Sequence, residues 1–372
     1  MSKKINLLGY SFESLKSFFS ELGEPEYRAK QLLSWIHQKG VIDFDNMTDF
    51  NKDLRKKLNS VSIIKPPEIY KEYISDEGTK KYLIKLDSGS VIEMVIIPEK
   101  KRRTLCVSSQ AGCALQCTFC ATGAQGFDQD LSSDEIIGQM WLANFNNNKP
   151  ITNVVFMGMG EPLLNYDAVI ESAKIMKHQN SYGLSRKRIT ISTSGIVPKI
   201  NKLSRDIDVS LAISLHAPDD KLRDEIVPIN KKYPIKQLIK ACKDYLSNFE
   251  SKKNITMEYI MIDGVNDSID HAKKLAVLLS NVSCKVNLIP FNSFNGSDYK
   301  RSKESTMKSF KKYLIEKGFI TTLRVTRGDG VDAACGQLVG ELSNTIKGKN
   351  LIKHRSISVS YTHLTLPTIL LV

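Results

Sequence analysis

Apolar residues recur at three- and four-residue spacing through residues 12–22, 27–39 and 50–58, the period of amphipathic helices. Gly23 and Pro25 separate the first two. The pattern then changes. Residues 70–86 alternate as a strand does and end at the turn Asp87-Ser88-Gly89, and residues 91–97 form a second strand. The chain to about residue 90 therefore predicts a small helical module followed by the start of a β-hairpin.

From residue 104 short apolar runs alternate with helical stretches. Strands are predicted at 104–108, 153–157, 188–192, 209–215, 256–262 and 285–289, with helices at 133–144, 166–177, 197–203, 235–249 and 268–280. Six β-α units in a row predict an α/β protein whose parallel sheet curves into a partial, TIM-like (β/α)6 barrel. Active groups of such barrels sit at the carboxyl ends of the strands. A last strand at 321–326 leads into the polar, Gly-rich loop 327–337. The expected organisation is a module at 1–90, a core at 91–355 and a tail at 359–372. The tail differs in composition and resembles the in-frame translation of a sequencing-library adapter, so it is set aside as non-native; the alternative is an authentic apolar tail.

After the first barrel strand comes Cys113-Ala114-Leu115-Gln116-Cys117-Thr118-Phe119-Cys120, three thiols at a Cys-x3-Cys-x2-Cys spacing. Three thiolates on one short loop can hold three corners of a [4Fe–4S] cluster, which normally takes four cysteines. The fourth iron is then open to a small chelating molecule, and the amino and carboxylate groups of S-adenosylmethionine suit it. One electron from such a cluster splits the sulfonium and releases a 5′-deoxyadenosyl radical. A zinc site would prefer paired Cys-x2-Cys units and a fourth ligand, and other candidates lie far away in sequence. Seven cysteines in 372 residues, an odd number with no N-terminal signal peptide, do not describe a disulfide framework. Buried structural thiols are common, but three within eight residues of a Gly- and Gln-containing loop do not look like core packing.

A hydrophobic fraction of 41% and a charged fraction of 25% are those of a soluble globular protein. No run approaches a membrane span, and no targeting segment is visible, so a reducing cytoplasm is the expected location, with no membrane partner. The net charge is +13. Lys100, Lys101, Arg102 and Arg103 cluster before the cysteines, and Arg186, Lys187 and Arg188 before a later strand. A polyanionic partner such as nucleic acid is the natural inference; the alternative is a solvated basic face.

Strand ends carry further candidates. Gly158-Met159-Gly160-Glu161-Pro162-Leu163 follows the second strand, and its glycines let backbone approach a ligand. Ser192 ends the third strand, Ser214, Leu215 and His216 follow the fourth, and Asn292 follows the sixth. These are candidate contacts to S-adenosylmethionine. Each taken singly also fits turn chemistry or helix capping.

Residues 104–110, the cysteine loop, residues 158–163 and 214–218, Asp224-Glu225-Ile226-Val227-Pro228-Ile229-Asn230 and residues 332–336 occur in order and together resemble the RlmN family, over about residues 10–355. The resemblance implies a radical S-adenosylmethionine barrel that methylates carbon 2 of adenosine 2503 in 23S rRNA and of adenosine 37 in tRNA. The sister family Cfr methylates carbon 8 and shares the cluster and both special cysteines; the module at 12–58 and the whole-length pattern look more like RlmN. The family's Gly-Asp-Asp reads Gly328-Asp329-Gly330 here.

Carbon 2 of adenine lies between two ring nitrogens and is too electron-poor to attack a sulfonium methyl group. The resemblance implies a two-stage route that uses two S-adenosylmethionine molecules per turnover. One methylates Cys335. The second is cleaved at the cluster on Cys113, Cys117 and Cys120, and the radical takes hydrogen from the S-methyl group. The carbon radical adds to the ring, and the adduct loses an electron and the C2 proton. Cys106 then attacks the Cys335 sulfur, forming a transient disulfide and releasing the methylated base. Glu93 matches the family's proposed proton acceptor, although strand alternation leaves a solvent-facing Glu93 open. Gly160 and Glu161 match the Gly-Gly-Glu-Pro-type motif that contacts the methionine amino group. A monomer served by an electron donor such as flavodoxin completes the expectation. Cys242 and Cys284 have no motif and are expected to be structural.

Overall fold

The N-terminal helices begin where short polar side chains can cap them. The computed structural model describes residues 4–147, 149–249, 254–324, 332–334 and 336–339. Helix α1 (Phe12–Glu21) follows Ser11, whose hydroxyl accepts from the Ser14 N–H. After α2 (Tyr27–His37), α3 (Lys52–Val61) follows Asn51, whose side-chain oxygen accepts from the Leu54 N–H at 2.8 Å. Such a cap stabilises a helix by about 1 kcal/mol. Phe19, Leu32, Phe50 and Leu58 bury the apolar stripes of the three helices. The module is seated on the barrel by directed contacts. The Ser11 N–H donates to Glu171 at 2.9 Å, Trp141 Nε1 donates to the Ile36 carbonyl at 3.1 Å, and His37 Nδ1 lies 3.1 Å from the Tyr182 hydroxyl.

Among the described residues the main sheet has ten strands: β1 (Glu68–Ile74), β2 (Lys80–Lys85), β3 (Val91–Pro98), β4 (Arg103–Cys106), β5 (Asn153–Phe156), β6 (Ile189–Thr193), β7 (Ser210–Ser214), β8 (Ile255–Met261), β9 (Cys284–Pro290) and β10 (Ile320–Leu323). Their order in space is their order in the chain. Pairing is antiparallel from β1 to β4 and parallel from β4 to β10. Between them lie α4 (Ala121–Gln125), α5 (Ser133–Phe145), α6 (Tyr166–Lys177), α7 (Val197–Asp206), α8 (Asp220–Ile226), α9 (Ile235–Ser247), α10 (Ile269–Leu279) and α11 (Glu304–Glu316). The sheet is curved: Cys106, Val155, Thr190, Thr256, Lys285 and Thr322, from β4, β5, β6, β8, β9 and β10, line one cavity. The opposite face of the sheet, with Val154, Ile191, Met257 and Val286, and Leu211 of β7, is buried. This is the expected α/β partial barrel, with β10 as a further parallel strand.

Several elements differ from the sequence expectation. Residues 70–86 form two strands, not one. The chain reverses between them, with the Ser75 N–H donating to the Thr79 carbonyl at 2.9 Å and Gly78 at φ +80°, a backbone conformation that favours glycine. Strands β1 and β2 thus continue the barrel sheet instead of standing apart with the helices. Helix α11 was not anticipated, although Met307, Phe310 and Leu314 are buried at helical spacing. Short α4 and α8 offered too few residues for a period to show. Residues 325–331, Cys335 and the tail at 359–372 lie outside the described residues. No described helix is long and apolar enough to cross a membrane.

Candidate active site

The cysteine loop runs from a short strand, Gln110–Gly112, into α4, and that strand pairs with Phe127–Asp130 to bracket the loop. Gly112 is at φ +75°, and a Cβ there would lie 2.0 Å from the Gly126 carbonyl oxygen, so no side chain fits. The Cys113 N–H donates to that same carbonyl at 2.7 Å, and the Cys120 N–H donates to the Cys117 carbonyl at 3.1 Å. Cys113, Cys117 and Cys120 thereby line a single cavity.

Burial pushes the Cys113 thiol up to about 12, and burial with mutual repulsion from Cys120 and Cys113 pushes Cys117 higher still. A thiol held up in this way becomes a thiolate when a cation replaces its proton. Among the described residues no three or more His, Cys, Asp or Glu draw together as they would around a single ion. Three cysteines lining one cavity are a donor set for a cluster with one open iron, whereas a structural zinc takes a fourth protein ligand.

The Gly158–Leu163 turn packs directly on the first barrel loop. A Cβ on Gly158 would meet the Val107 carbonyl oxygen at 2.6 Å, and one on Gly160 would meet Gln110 Cβ at 2.5 Å. Glu161 is buried and lines the cysteine cavity. It accepts from the Ser194 N–H at 2.7 Å and the Leu163 N–H at 3.0 Å. Burial raises its pKa, and these donors oppose the rise. Ser192, Ser214 and His216 line the same cavity. His216 sits at φ +61°, its Nδ1 accepts from the Ile260 N–H at 3.1 Å, and the Phe119 ring meets it edge-on at 4.6 Å. Burial first, and then Arg223, hold it down to about 3. His216 is consequently neutral with its proton on Nε2, a donor for the cavity.

Two sequence candidates lie elsewhere. Leu215 is fully buried in the core and does not line this cavity; its carbonyl accepts from Arg223 at 3.0 Å. Asn292 lines the adjoining cavity and accepts from Arg301 at 2.7 Å. Sequence reasoning missed Arg223 and Glu258. Arg223 is fully buried and ties the ends of β6 and β7 together, donating to the Ser194 and Ser214 carbonyls at 2.6 and 3.1 Å. Glu258 is buried on β8, accepts from Asn287 at 2.7 Å and lines both cavities. The available signal was a carboxylate inside an apolar strand, the same signal that marks Glu93.

Glu93 is 3% exposed, so it is not the solvent-facing residue that alternation allowed. Strand register puts Glu93 opposite Leu83, and Val95, two residues on, opposite Cys106. Glu93 and Cys106 therefore share a face of the sheet. Burial raises the Glu93 pKa; Lys81, 3.3 Å from Oε1, and the Val339 N–H, 3.3 Å from Oε2, pull against it. Cys106 lines the second cavity together with Ala333 and Ala334. Cys335 lies outside the described residues, but its two chain neighbours do not. Ala334 faces the cavity of Cys106, and Gly336 faces the cavity of the three cysteines. The Gly336 and Leu338 carbonyls accept from the Ala121 N–H at 2.8 Å and the Thr122 hydroxyl at 2.6 Å, which binds this segment to α4. Cys242 is fully buried in the core and Cys284 half-buried at the start of β9.

Residues 5–64 match the family model described as ribosomal RNA large subunit methyltransferase N-terminal domain, and residues 107–276 match that of the radical SAM superfamily. The chain is 50% identical over 366 residues to the dual-specificity RNA methyltransferase RlmN of Alcanivorax borkumensis, covering 95% of this chain and 96% of that protein. It is 51% identical over 352 residues to the RlmN of Saccharophagus degradans, covering 92% and 88%. The crystal structure of a radical SAM methyltransferase from Sphaerobacter thermophilus superposes with a TM-score of 0.83 at 39% identity, covering 90% of this chain and 99% of that one. Three cysteines lining one cavity at the mouth of a partial barrel, a helical module in front of it and identity along nearly the whole length lead to one assignment: the chain belongs to the RlmN family of radical SAM dual-specificity RNA methyltransferases.

Proposed function

We propose that this protein methylates carbon 2 of adenosine in 23S rRNA and tRNA through an S-methyl group carried by Cys335. One observation carries the reading. The residues on either side of Cys335 face two different cavities, one with the three cluster cysteines and Glu161, the other with Cys106. A carbon carrier has to serve both places, since it is activated at the first and released at the second.

When bound, the cluster and S-adenosylmethionine supply the methyl group and the one-electron cleavage that makes the hydrogen-abstracting radical. Cys113, Cys117 and Cys120 hold the cluster. Glu161 orients an ammonium group, and Ser192, Ser214 and neutral His216 offer hydrogen bonds beside it. Asn292 closes the neighbouring cavity. Glu93 takes the proton from carbon 2. Cys106, as thiolate, attacks the Cys335 sulfur; the S–C bond breaks as the disulfide forms, its electron pair stays with the departing carbon, and that carbon takes a proton to become the methyl group.

Two S-adenosylmethionine molecules are used per turnover, one for each stage. The helical module that ends at Val61 grips RNA, which presents a single unstacked adenine to the barrel. The protein acts as a cytoplasmic monomer and receives electrons from a donor such as flavodoxin. The test is expression in a strain lacking the activity, followed by chromatography of digested 23S rRNA and tRNA against both methyladenosine standards. 2-Methyladenosine in both RNAs is expected. 8-Methyladenosine would overturn the regiochemistry, and no methylated nucleoside would overturn the activity.

A further inference from the structure

Lys81 on β2 belongs to none of the sequence motifs, yet it is only 8% exposed. Strand pairing sets it opposite Val95, and so diagonal to Glu93 on the same face. Its Nζ lies 3.3 Å from Glu93 Oε1 and donates to the Asp332 carbonyl at 3.4 Å. The ring of Tyr73, on β1, lies beside it with its centroid 5.4 Å from the ammonium. The other carboxylate oxygen of Glu93 accepts from the Val339 N–H at 3.3 Å. One buried ion pair therefore grips the segment around Cys335 at two points, residue 332 through the cation and residue 339 through the anion. A buried pair is a weak device for stability, because apolar residues of similar volume serve as well or better. Its placement calls for another explanation.

We propose that Lys81 is a positioning residue for RNA methylation, holding the Glu93 carboxylate and the Cys335-bearing segment in one frame. The inference rests on Glu93 being the proton acceptor. Among the described residues the titratable groups facing Glu93 are Lys81 from β2, Asp332 from the segment and the Cys106 thiol on β4, and Asp332 acts in the opposite sense to Lys81. A carboxylate accepts a proton only when ionised. Removal of the neighbouring cation strengthens its hold on a proton, so the acid limb of the rate profile must move to higher pH.

The experiment is single-turnover RNA methylation against pH by the full, cluster-loaded chain and by its Lys81→Met, Lys81→Arg and Glu93→Gln variants, with cluster absorbance and thermal midpoint as controls on folding. Lys81→Met should move the acid limb up by about one pK unit, so that its rate is up to roughly tenfold lower on that limb and recovers as pH rises. Lys81→Arg should keep the acid limb of the parent, and Lys81→Met should add nothing in a Glu93→Gln background. An unmoved acid limb, or an equal loss at every pH that persists beside Glu93→Gln, would make Lys81 a packing residue and end the proposal. Full activity in Glu93→Gln alone would instead remove the proton-acceptor reading. If Lys81→Met loses its cluster, Lys81→Gln, which keeps a donor for the Asp332 carbonyl without the charge, is judged by the same two outcomes.

Discussion

The two walls of this active site are built differently. The cluster wall consists of loops at the carboxyl ends of the parallel strands β4 to β7. Its groups are set by glycines that admit no side chain, by backbone donors to Glu161, and by Arg223 tying neighbouring loops together. The hairpin wall consists of strand faces, β2, β3 and β4, with Lys81, Glu93 and Cys106 brought into line by antiparallel register. The first wall is a sequence motif folded in place. The second exists only once strands pair. On the proposed function, cofactor chemistry falls to the local wall, and the two-thiol and base chemistry falls to the register-built one.

That contrast can be broken most severely at Cys117. Cys117→Ala should abolish cluster absorbance and reduce deoxyadenosine formation to background, because the cluster wall fails as a whole. An intact, active cluster in this variant would refute the assignment of the loop. Cys106→Ala strikes the other wall. It should leave the cluster in place, yield no released methylated RNA, and accumulate an RNA–protein crosslink through Cys335, visible on a denaturing gel. Normal product with mild destabilisation would instead mark Cys106 as an ordinary buried strand thiol.

A smaller effect should separate both walls from the surface. Charge reversal of Lys101, Arg102 and Arg103 should weaken RNA affinity and lower its log–log salt slope by about 0.9 for each phosphate that is no longer neutralised. Cluster absorbance should be unchanged. An unaltered salt slope would make this run a bystander; Arg102 already has an intramolecular partner in Glu99 at 2.6 Å.

The gentlest test concerns the joint between module and barrel. Burial holds His37 down to about 3, below its ordinary 6.5. Its folded-state pKa is depressed, so its stabilising effect is complete above about pH 6.5 and is lost as pH falls from there toward 3. Urea unfolding should show stability falling by up to about 1.4 kcal/mol per pH unit in that window from this group. His37→Gln should flatten the slope by that amount, and an unchanged slope would show that His37 does not titrate on unfolding.

Legibility in the sequence followed the same division. The barrel strands and the helix at 166–177 were visible because apolar runs and helical period carry the signal locally. Cys113, Cys117 and Cys120 were visible because their spacing is itself the chemistry. Glu93 stood out as a carboxylate in an apolar strand, but its role came only through resemblance and its burial was undecidable, since strand alternation permits either face until a partner strand is known. Lys81 and Arg223 left no trace: a cation buried against a distant carboxylate or carbonyl looks in sequence like any surface cation. The reversal at Gly78 was overlooked because alternation continues in phase on both sides of it.

Because the strands pair in chain order, most of the barrel forms by adding each strand to its predecessor. The contacts that hold the segment around Cys335 are of another kind. Thr122 reaches Leu338 across 216 residues, Glu93 reaches Val339 across 246, and Lys81 reaches Asp332 across 251. Closing such loops costs chain entropy that local pairing does not. The segment proposed to carry the methyl group is therefore expected to dock last during folding, against a cysteine loop and a hairpin already in place. In refolding followed by pulsed hydrogen exchange, the Val339 amide should gain protection after the amides of β4 to β7, and earlier protection would show that the carrier segment nucleates the site instead of completing it.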